Sequence, residues 1–309
     1  MLGRVTNQTS AMAASRQLQA NAARLAQLQG QASSLKAIGV PSDDPTGTGQ
    51  SLLVRSAQAA NTQYSRNADD GDGWLTMTDS ALSDTANILR RIRDLTVQGA
   101  NDGSMSPTAK EAIATELTGL KSDLLASANT TYAGRSVFAG TSDANGAFSP
   151  ETSTTDPVTG VVTTTPPAFT GTAGSSVQRR ISDSTTVKVD TDGAAVFGTG
   201  SDSVFSMVDS IVSDLRAGVN VNPQLNAIDA RLDAVNAARG DVGARQAQIE
   251  RAQDSLKSSS VSLENQRSGI EDLDLAKVIL QLQTQQVSYQ SALATTAKVI
   301  QPTLMDFLR

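Results

Sequence analysis

One line of residues restricts this chain more than any other. Ile228, Val235, Val242, Ile249, Leu256, Leu263 and Ile270 stand seven apart without a break, and an unbroken apolar heptad line marks a long helix that buries one seam. The companion seam positions, Leu225, Leu232, Arg239, Gln246, Gln253, Ser260 and Arg267, start apolar and turn polar. A two-stranded coiled coil resting on the apolar row alone would be weak. Near Gly269 the phase shifts, and a second pattern runs through Leu275, Ile279, Leu282, Tyr289, Leu293, Ile300 and Phe307, with almost no charge from Val278 to Thr296. A single helix from Leu225 to Arg309 would reach about 130 Å at roughly 1.5 Å per residue. Such a rod requires partners along its length.

At the other end, Ala11, Ala14, Leu18, Leu25, Leu28, Ala32 and Leu35 recur at helical spacing and predict an amphipathic helix from Ala11 to Ile38 with a narrow, small-residue stripe. The two terminal tracts share this character, so they are expected to pair as antiparallel partners. Gly39, Val40 and Pro41 break the first helix; Asp44 and Pro45 then read as the N-cap and first turn of the next. Leu53, Ala57, Ala60 and Tyr64 continue it to Asp70, where Gly71 and Gly73 read as a joint between helices. A stronger stripe through Trp74, Leu75, Leu82, Ile88, Leu89, Ile92 and Leu95 follows, ended by Gly99 and Gly103. Ser106 and Pro107 open a helix whose stripe is Ile113, Leu117, Leu120 and Leu124.

Between Gly140 and Gly200 the helical period disappears and Thr, Ser, Gly and Pro dominate. Thr185 to Val189 with Asp192 and Gly193 predict a strand and a hairpin turn, while Thr152 to Pro167 reads as a mobile, low-complexity loop. From Ser203 the period resumes through Val204, Val208, Ile211 and Leu215 to Gly218. The fold class that results is mainly α with a small β-rich insertion, a long antiparallel helical bundle or coiled coil with its N- and C-termini paired. Its segments are a terminal assembly helix (1–45), half of a helical rod (46–139), an outer β-rich insertion (140–200), the second half of the rod (201–269) and a C-terminal assembly helix (270–309).

Composition bounds the chemistry. Of 309 residues 39% are apolar but only 3% aromatic, which argues against a large conventional core. The net charge of -6 offers no basic field for nucleic acid or anionic lipid. Without cysteine or histidine there are no disulfides, no thiolate metal sites and no ordinary general base near neutral pH. No apolar run is long enough for a membrane span. Arg4, Asn7, Gln8 and Arg16 interrupt any signal-peptide core at the N-terminus. Asp69, Asp70 and Asp72 beside glycines suggest a calcium loop, yet an EF-hand starting at Asp70 would need Gly and Glu where Leu75 and Ala81 stand. Asp43 and Asp44 read as a cap before proline, Gly47-Thr48-Gly49 lacks the ending of a phosphate loop, and Arg90, Arg91 and Arg93 read as a solvated or partner-facing helix surface. No catalytic residue, cofactor or metal ligand is nominated, and the chain is not expected to be an enzyme.

At Pro41-Ser42-Asp43-Asp44-Pro45 and Gly47 the chain resembles the hook-filament junction branch of the bacterial flagellin superfamily. Arg66 through Leu75 and Ser80-Ala81-Leu82 are similar to the start of the long N-terminal helix of that family, and Leu89 through Gln98 resembles the helix that follows. Gly134, Arg135 and Val137 through Thr141 look like the strand that closes its N-terminal half. Ile270 through Ala276 and Leu304-Met305-Asp306-Phe307-Leu308 resemble its C-terminal end, although the final Arg309 echoes flagellin. The resemblance implies a subunit of a tubular polymer with its terminal helices innermost and its β segment outward. It also implies export through the flagellar type III apparatus to an extracellular flagellum, without a cleaved signal peptide. The implied partners are hook-associated protein 1, flagellin, other copies in a ring and an export chaperone at the C-terminal helix; nucleic acid and membrane are not among them.

The assembly interface is expected at Leu18, Leu25, Leu28, Leu35, Leu275, Ile279, Leu282, Tyr289, Leu293, Ile300 and Phe307. Seams rich in Ala, Ser, Thr and Gln bury too little to offset chain ordering, so residues 1–45 and 270–309 are expected to gain order on assembly. Two other readings stay open: a flagellin filament subunit, and a cytoplasmic coiled-coil signalling rod.

Overall fold

The computed structural model describes residues 7–101, 105–155, 162–172 and 174–300. The helices in chain order are α1 (Asn7–Ser34), α2 (Pro45–Gly99), α3 (Pro107–Ala128), α4 (Gly193–Phe197), α5 (Val204–Ala217), α6 (Leu225–Glu271) and α7 (Leu275–Ile300). Between α3 and α4 lie three antiparallel hairpins: β1 (Thr131–Tyr132) with β2 (Arg135–Ser136), β3 (Thr152–Thr155) with β4 (Val162–Thr165), and β5 (Gln178–Arg180) with β6 (Thr186–Lys188). The chain divides into two compact units, Met1–Ala60 with Ser259–Arg309, and Asn61–Ser258. The helices α2 and α6 contribute to both.

Capping matches the residue chemistry. The Asp44 carboxylate accepts from the Gly47 amide at 2.9 Å, so α2 begins as its Asp-Pro sequence predicts. Ser106 accepts from the Ala109 amide at 3.2 Å and caps α3. Ser203 caps α5 from Ser206 at 3.1 Å. Gly218 closes α5 in the left-handed conformation, φ 72°.

In the unit of residues 61–258 the heptad line of α6 is the core seam. Ile228, Val235, Val242, Ile249 and Leu256 are all buried. Facing rows on α2 include Ala68, Gly71, Leu75, Thr78, Leu82, Thr85, Leu89, Ile92 and Thr96, again three and four apart. Thr78, Thr85 and Thr96 satisfy their buried hydroxyls by donating to the carbonyl one turn back. The polar half of the α6 seam is matched by polar residues of α2: Arg239 donates to Asp79 (3.1 Å), Gln246 to Thr76 (3.4 Å) and Gln253 to Asp69 (2.9 Å), while Arg93 pairs with Asp229 (2.7 Å). Partners descend α2 as they climb α6, which is antiparallel pairing. The seam is held by hydrogen bonds where apolar residues run out.

Several expectations are corrected here. Gly71 and Gly73 form no joint, because α2 is continuous through them. A Cβ on Gly73 would stand 2.5 Å from the Tyr132 hydroxyl, and one on Gly71 would stand 3.0 Å from Ile249 Cδ1. These glycines make room for neighbours inside a helix and do not break it. The segment read as a mobile loop holds the β3–β4 hairpin, with Thr152 paired to Thr165 and Thr155 to Val162; runs of Thr without alternation escape a period search yet favour extended backbone. Asp192 and Gly193 are no hairpin turn. Asp192 caps α4 by accepting from the Ala194 amide at 2.9 Å. The helix α1 ends at Ser34, short of Ile38, and Leu35 adopts φ 55°.

The scarce aromatics are concentrated. Phe148 lies within 5.1–5.6 Å, centroid to centroid, of Phe169, Phe197 and Phe205, and Phe138 meets Phe197 edge-on at 5.2 Å, a preferred ring geometry. Asn129 fixes Phe148 by accepting its amide (2.8 Å) and donating to its carbonyl (3.0 Å). Beside this cluster Lys121 of α3 is buried between Asp209 of α5 (2.6 Å) and Glu151 (2.7 Å). Burial pulls its pKa down, but those hydrogen bonds and charges outweigh it, and the net shift is upward. Trp74, fully buried, packs on Tyr132 at 5.8 Å, and the Arg179 guanidinium lies 5.6 Å from its ring centre. Arg179 also pairs with Asp70 at 2.5 Å. Asp69 and Asp70 are thus engaged by Gln253 and Arg179. In the basic patch Arg90, Arg91 and Arg93 of α2, Arg91 pairs with Glu116 (2.5 Å) and Arg93 with Asp229, so both link helices of this unit; Arg90 donates to Asn87 on its own helix.

Candidate assembly surface

The unit formed by residues 1–60 and 259–309 has a different surface. Here α1 packs against α7. On α1 the shielded row is Ala14, Leu18, Asn21, Leu25, Leu28 and Ala32; on α7 it is Val278, Leu282, Gln285, Tyr289, Ala292 and Thr296. Both rows step by three and four, the spacing of a knobs-into-holes seam. Only Leu28 and Val278 are buried among these, and the rest are half-exposed. Gln285 donates to the Asn21 backbone carbonyl at 3.2 Å, and its amide nitrogen lies 3.5 Å from the Asn21 side-chain oxygen, which marks the antiparallel register.

Most of the expected interface residues fall into two groups. Leu18, Leu25, Leu28, Leu282 and Tyr289 belong to the inner rows, where the structure brings them together. Leu275, Ile279 and Leu293 lie on the flank of α7 and are 45%, 47% and 42% exposed. Leu35 sits past the end of α1, exposed. Ile300 is the last residue of α7, and Phe307 lies outside the described residues. The sequence pattern mixed two rows because the apolar arc of α7 is wider than one seam. Val278, Asn21 and Gln285 were missed, although 278, 282, 285, 289, 292 and 296 form a regular heptad row. Leu280 and Val287 add exposed apolar surface on another side of α7, and Leu52 and Leu53 on α2 are 62% and 73% exposed.

Two chain reversals, α1 to α2 and α6 to α7, meet in this unit. Lys36 and Asp272 form an antiparallel bridge; the Ala37 amide donates to the Glu271 carbonyl (2.7 Å) and the Leu273 amide to the Leu35 carbonyl (3.2 Å). The loop after Leu35 is folded on Asp43, whose Oδ2 accepts the amides of Gly39 (3.1 Å) and Val40 (3.0 Å). The Glu271 side chain, 5% exposed, accepts from Arg55 Nε (2.7 Å) and Nη2 (2.8 Å), from Arg267 Nη1 (3.4 Å) and, very closely, from the Ser51 hydroxyl. Hydrogen bonds from Arg55 and then Ser51 hold its carboxyl down to about 2, against the opposing effect of burial. Beside the clasp lies a cavity of about 310 Å³ lined by Ile38, Val40, Pro41, Leu52 and Arg55 among others. Among the described residues no cluster of three or more metal-ligating side chains occurs, and no helix is long and apolar enough to cross a membrane.

Both ends of the chain match one family: residues 5–143 fit the bacterial flagellin N-terminal helical region and residues 225–308 the bacterial flagellin C-terminal helical region. The chain belongs to the flagellin family. Within it, the chain is 33% identical over 112 residues to flagellar hook-associated protein 3 of Escherichia coli, covering 36% of this chain and 35% of that protein. To hook-associated protein 3 of Salmonella typhimurium it is 27% identical over 206 residues, 62% of this chain and 60% of the relative. Polar flagellin F of Vibrio parahaemolyticus is 33% identical over 145 residues, 47% of this chain and 37% of that flagellin. The chain thus spans three fifths or less of the length of these curated relatives. The flagellin-family fold is shared with solved structures of FlgL from Xanthomonas campestris (TM-score 0.59, 21% identity, 70% of this chain and 99% of that one) and Bacillus cereus (TM-score 0.56, 22% identity, 70% and 99%).

Proposed function

We propose that this flagellin-family chain is a structural subunit of the bacterial flagellum that joins the hook to the filament, with hook-associated protein 1 on one side and flagellin on the other. The observation that carries this reading is the apolar surface of α7 left open by α1 on more than one side. Leu275, Ile279, Leu280, Val287 and Leu293 are exposed in one chain, and neighbouring copies in a ring would cover them. Likeness to hook-associated protein 3 of two species favours the junction role over other members of the family.

In this proposal Leu18, Leu25, Leu28, Leu282 and Tyr289 form the intramolecular seam. Leu35, Leu275, Ile279 and Leu293, continuing through Ile300 and Phe307, form the intermolecular surface. Residues 1–45 and 270–309 act as assembly segments, 46–139 and 201–269 as a helical rod and 140–200 as an outward insertion. The helices α1 and α7 take up full order on assembly, and an export chaperone covers the α7 flank beforehand, as a helix laid in a groove. The subunit leaves the cell through the flagellar export apparatus without a cleaved signal and performs no catalysis.

The 33% identity to a polar flagellin over 145 residues favours a second reading, a filament subunit. Electron microscopy of cells lacking the gene, with an assay for flagellin in the medium, separates them. Bare hooks with flagellin shed into the medium are expected for a junction subunit. Hook-associated tips in place with no flagellin anywhere would identify the filament subunit, and normal flagella would refute both.

A further inference from the structure

The clasp at residues 35–37 and 271–273 joins features that a simple pair of connecting loops would not need. Two backbone hydrogen bonds cross it, Ala37 to Glu271 (2.7 Å) and Leu273 to Leu35 (3.2 Å). Glu271 also works through its side chain, which is shielded from water and shared by Ser51 and Arg55 of α2 and Arg267 of α6. One residue thus fixes the end of α6, the reversal after α1 and the start of α2 together. Leu35 holds φ 55° at this point, a conformation L side chains rarely adopt, so the surrounding contacts must impose it. The reversal into α7 starts from the same bridge. Asp272 is held by its own amide to Ser268 (2.9 Å), and Asp274 accepts the Lys277 amide (3.1 Å) in the first turn of α7.

The seam between α1 and α7 is mostly half-exposed and cannot strongly order either helix by burial alone. Fixing the end of α1 beside the start of α7 changes the entropy of pairing them, because the closed clasp removes most of the search for register. We propose that this clasp is a latch with Glu271 as its bolt: while it is closed, α1 and α7 are ordered as one cooperative unit, and when it opens both lose order together. Glu271 is a positioning residue that acts through the loops it pins.

The chain has no cysteine, so an introduced pair can form only the intended disulfide within one chain. Lys36 and Asp272 face each other as a non-hydrogen-bonded antiparallel pair, where Cα atoms lie about 4.5 Å apart, within disulfide range. The full-length Glu271→Gln chain, the Lys36→Cys/Asp272→Cys chain and the combination of all three substitutions are compared with the unaltered chain by hydrogen exchange on peptides of α1 and α7. The emission of the sole tryptophan, Trp74, reports the unit of residues 61–258. The expected result is at least tenfold faster exchange in α1 and α7 alike in Glu271→Gln, with Trp74 emission unchanged, and slowing of both when the cysteine pair is oxidised. Exchange that changes in one helix without the other overturns the proposal, as does an oxidised pair that protects only residues 35–37 and 271–273, or one that fails to oxidise. If Glu271→Gln also shifts Trp74 emission, the comparison of oxidised with reduced cysteine pair in the otherwise unaltered chain decides: joint slowing of α1 and α7 supports the latch, and slowing of one alone or of neither overturns it.

Discussion

Glu271 is an ionised carboxylate that water scarcely reaches, and its titration should be visible in the folded chain. Its folded-state pKa is depressed to about 2 from an ordinary 4.5, so what ionisation contributes to the clasp is complete above the ordinary value and is lost as the pH falls toward 2. The groups that face it are Arg55 and Ser51 from α2 and Arg267 from α6; Glu264 and Asp272 stand near Arg267. None of the basic groups titrates in that window, so acid should open the clasp through Glu271. Protection of the Ala37 and Leu273 amides, taken relative to the intrinsic exchange rate at each pH, should fall between about pH 4.5 and 2 and stay flat in Glu271→Gln. A second residue-scale prediction concerns glycine. Gly240 and Gly243 lie in the interior of α6 with open space where a Cβ would stand, so alanine at each should stabilise by about 0.5–1 kcal/mol in denaturant titrations. The same change at Gly73 should give no such gain, because the Tyr132 ring must move.

At the scale of elements, the periodic helices were legible in the sequence and the exceptions were physical. The α6 line from Ile228 to Leu256 is buried residue by residue because a seven-residue spacing leaves little room for another arrangement. The caps at Asp44, Ser106 and Ser203 were readable because an oxygen-bearing side chain before a helix has a local task. The sequence could not show that Gly71 and Gly73 accommodate Ile249 and Tyr132, since those neighbours come from distant segments. It also missed the β3–β4 hairpin, whose threonines carry no alternation, and Glu271, whose partners on α2 lie more than two hundred residues away. Core seams should respond strongly to truncation. Leu82→Ala, at a fully buried α2 position, should cost about 2–5 kcal/mol, read from urea melts followed at Trp74.

For the whole molecule, the contrast between the units is the functional statement. Residues 61–258 bury nearly all their large apolar side chains, while residues 1–60 and 259–309 leave Leu52, Leu53, Leu280 and Val287 in water. Exposed patches of this kind mark interaction surfaces. Leu293→Asp should leave circular dichroism and Trp74 emission unchanged and yet block incorporation into flagella. Leu282→Asp, on the inner row, should lower helicity as well, because it also unpairs α1 and α7. The hydrogen bond from Gln285 to Asn21 has one more consequence. In a thin seam of leucines and alanines, a neighbouring alignment would bury almost as much apolar surface, but it would lie one heptad away, about 10.5 Å along the axis. Each wrong alignment puts Ala14 or Leu28 opposite Gln285 in place of Asn21, whose side-chain oxygen lies 3.5 Å from the Gln285 amide nitrogen. This single polar contact therefore acts as an index mark: little of the adhesion depends on it, but it keeps successive copies of the chain the same length.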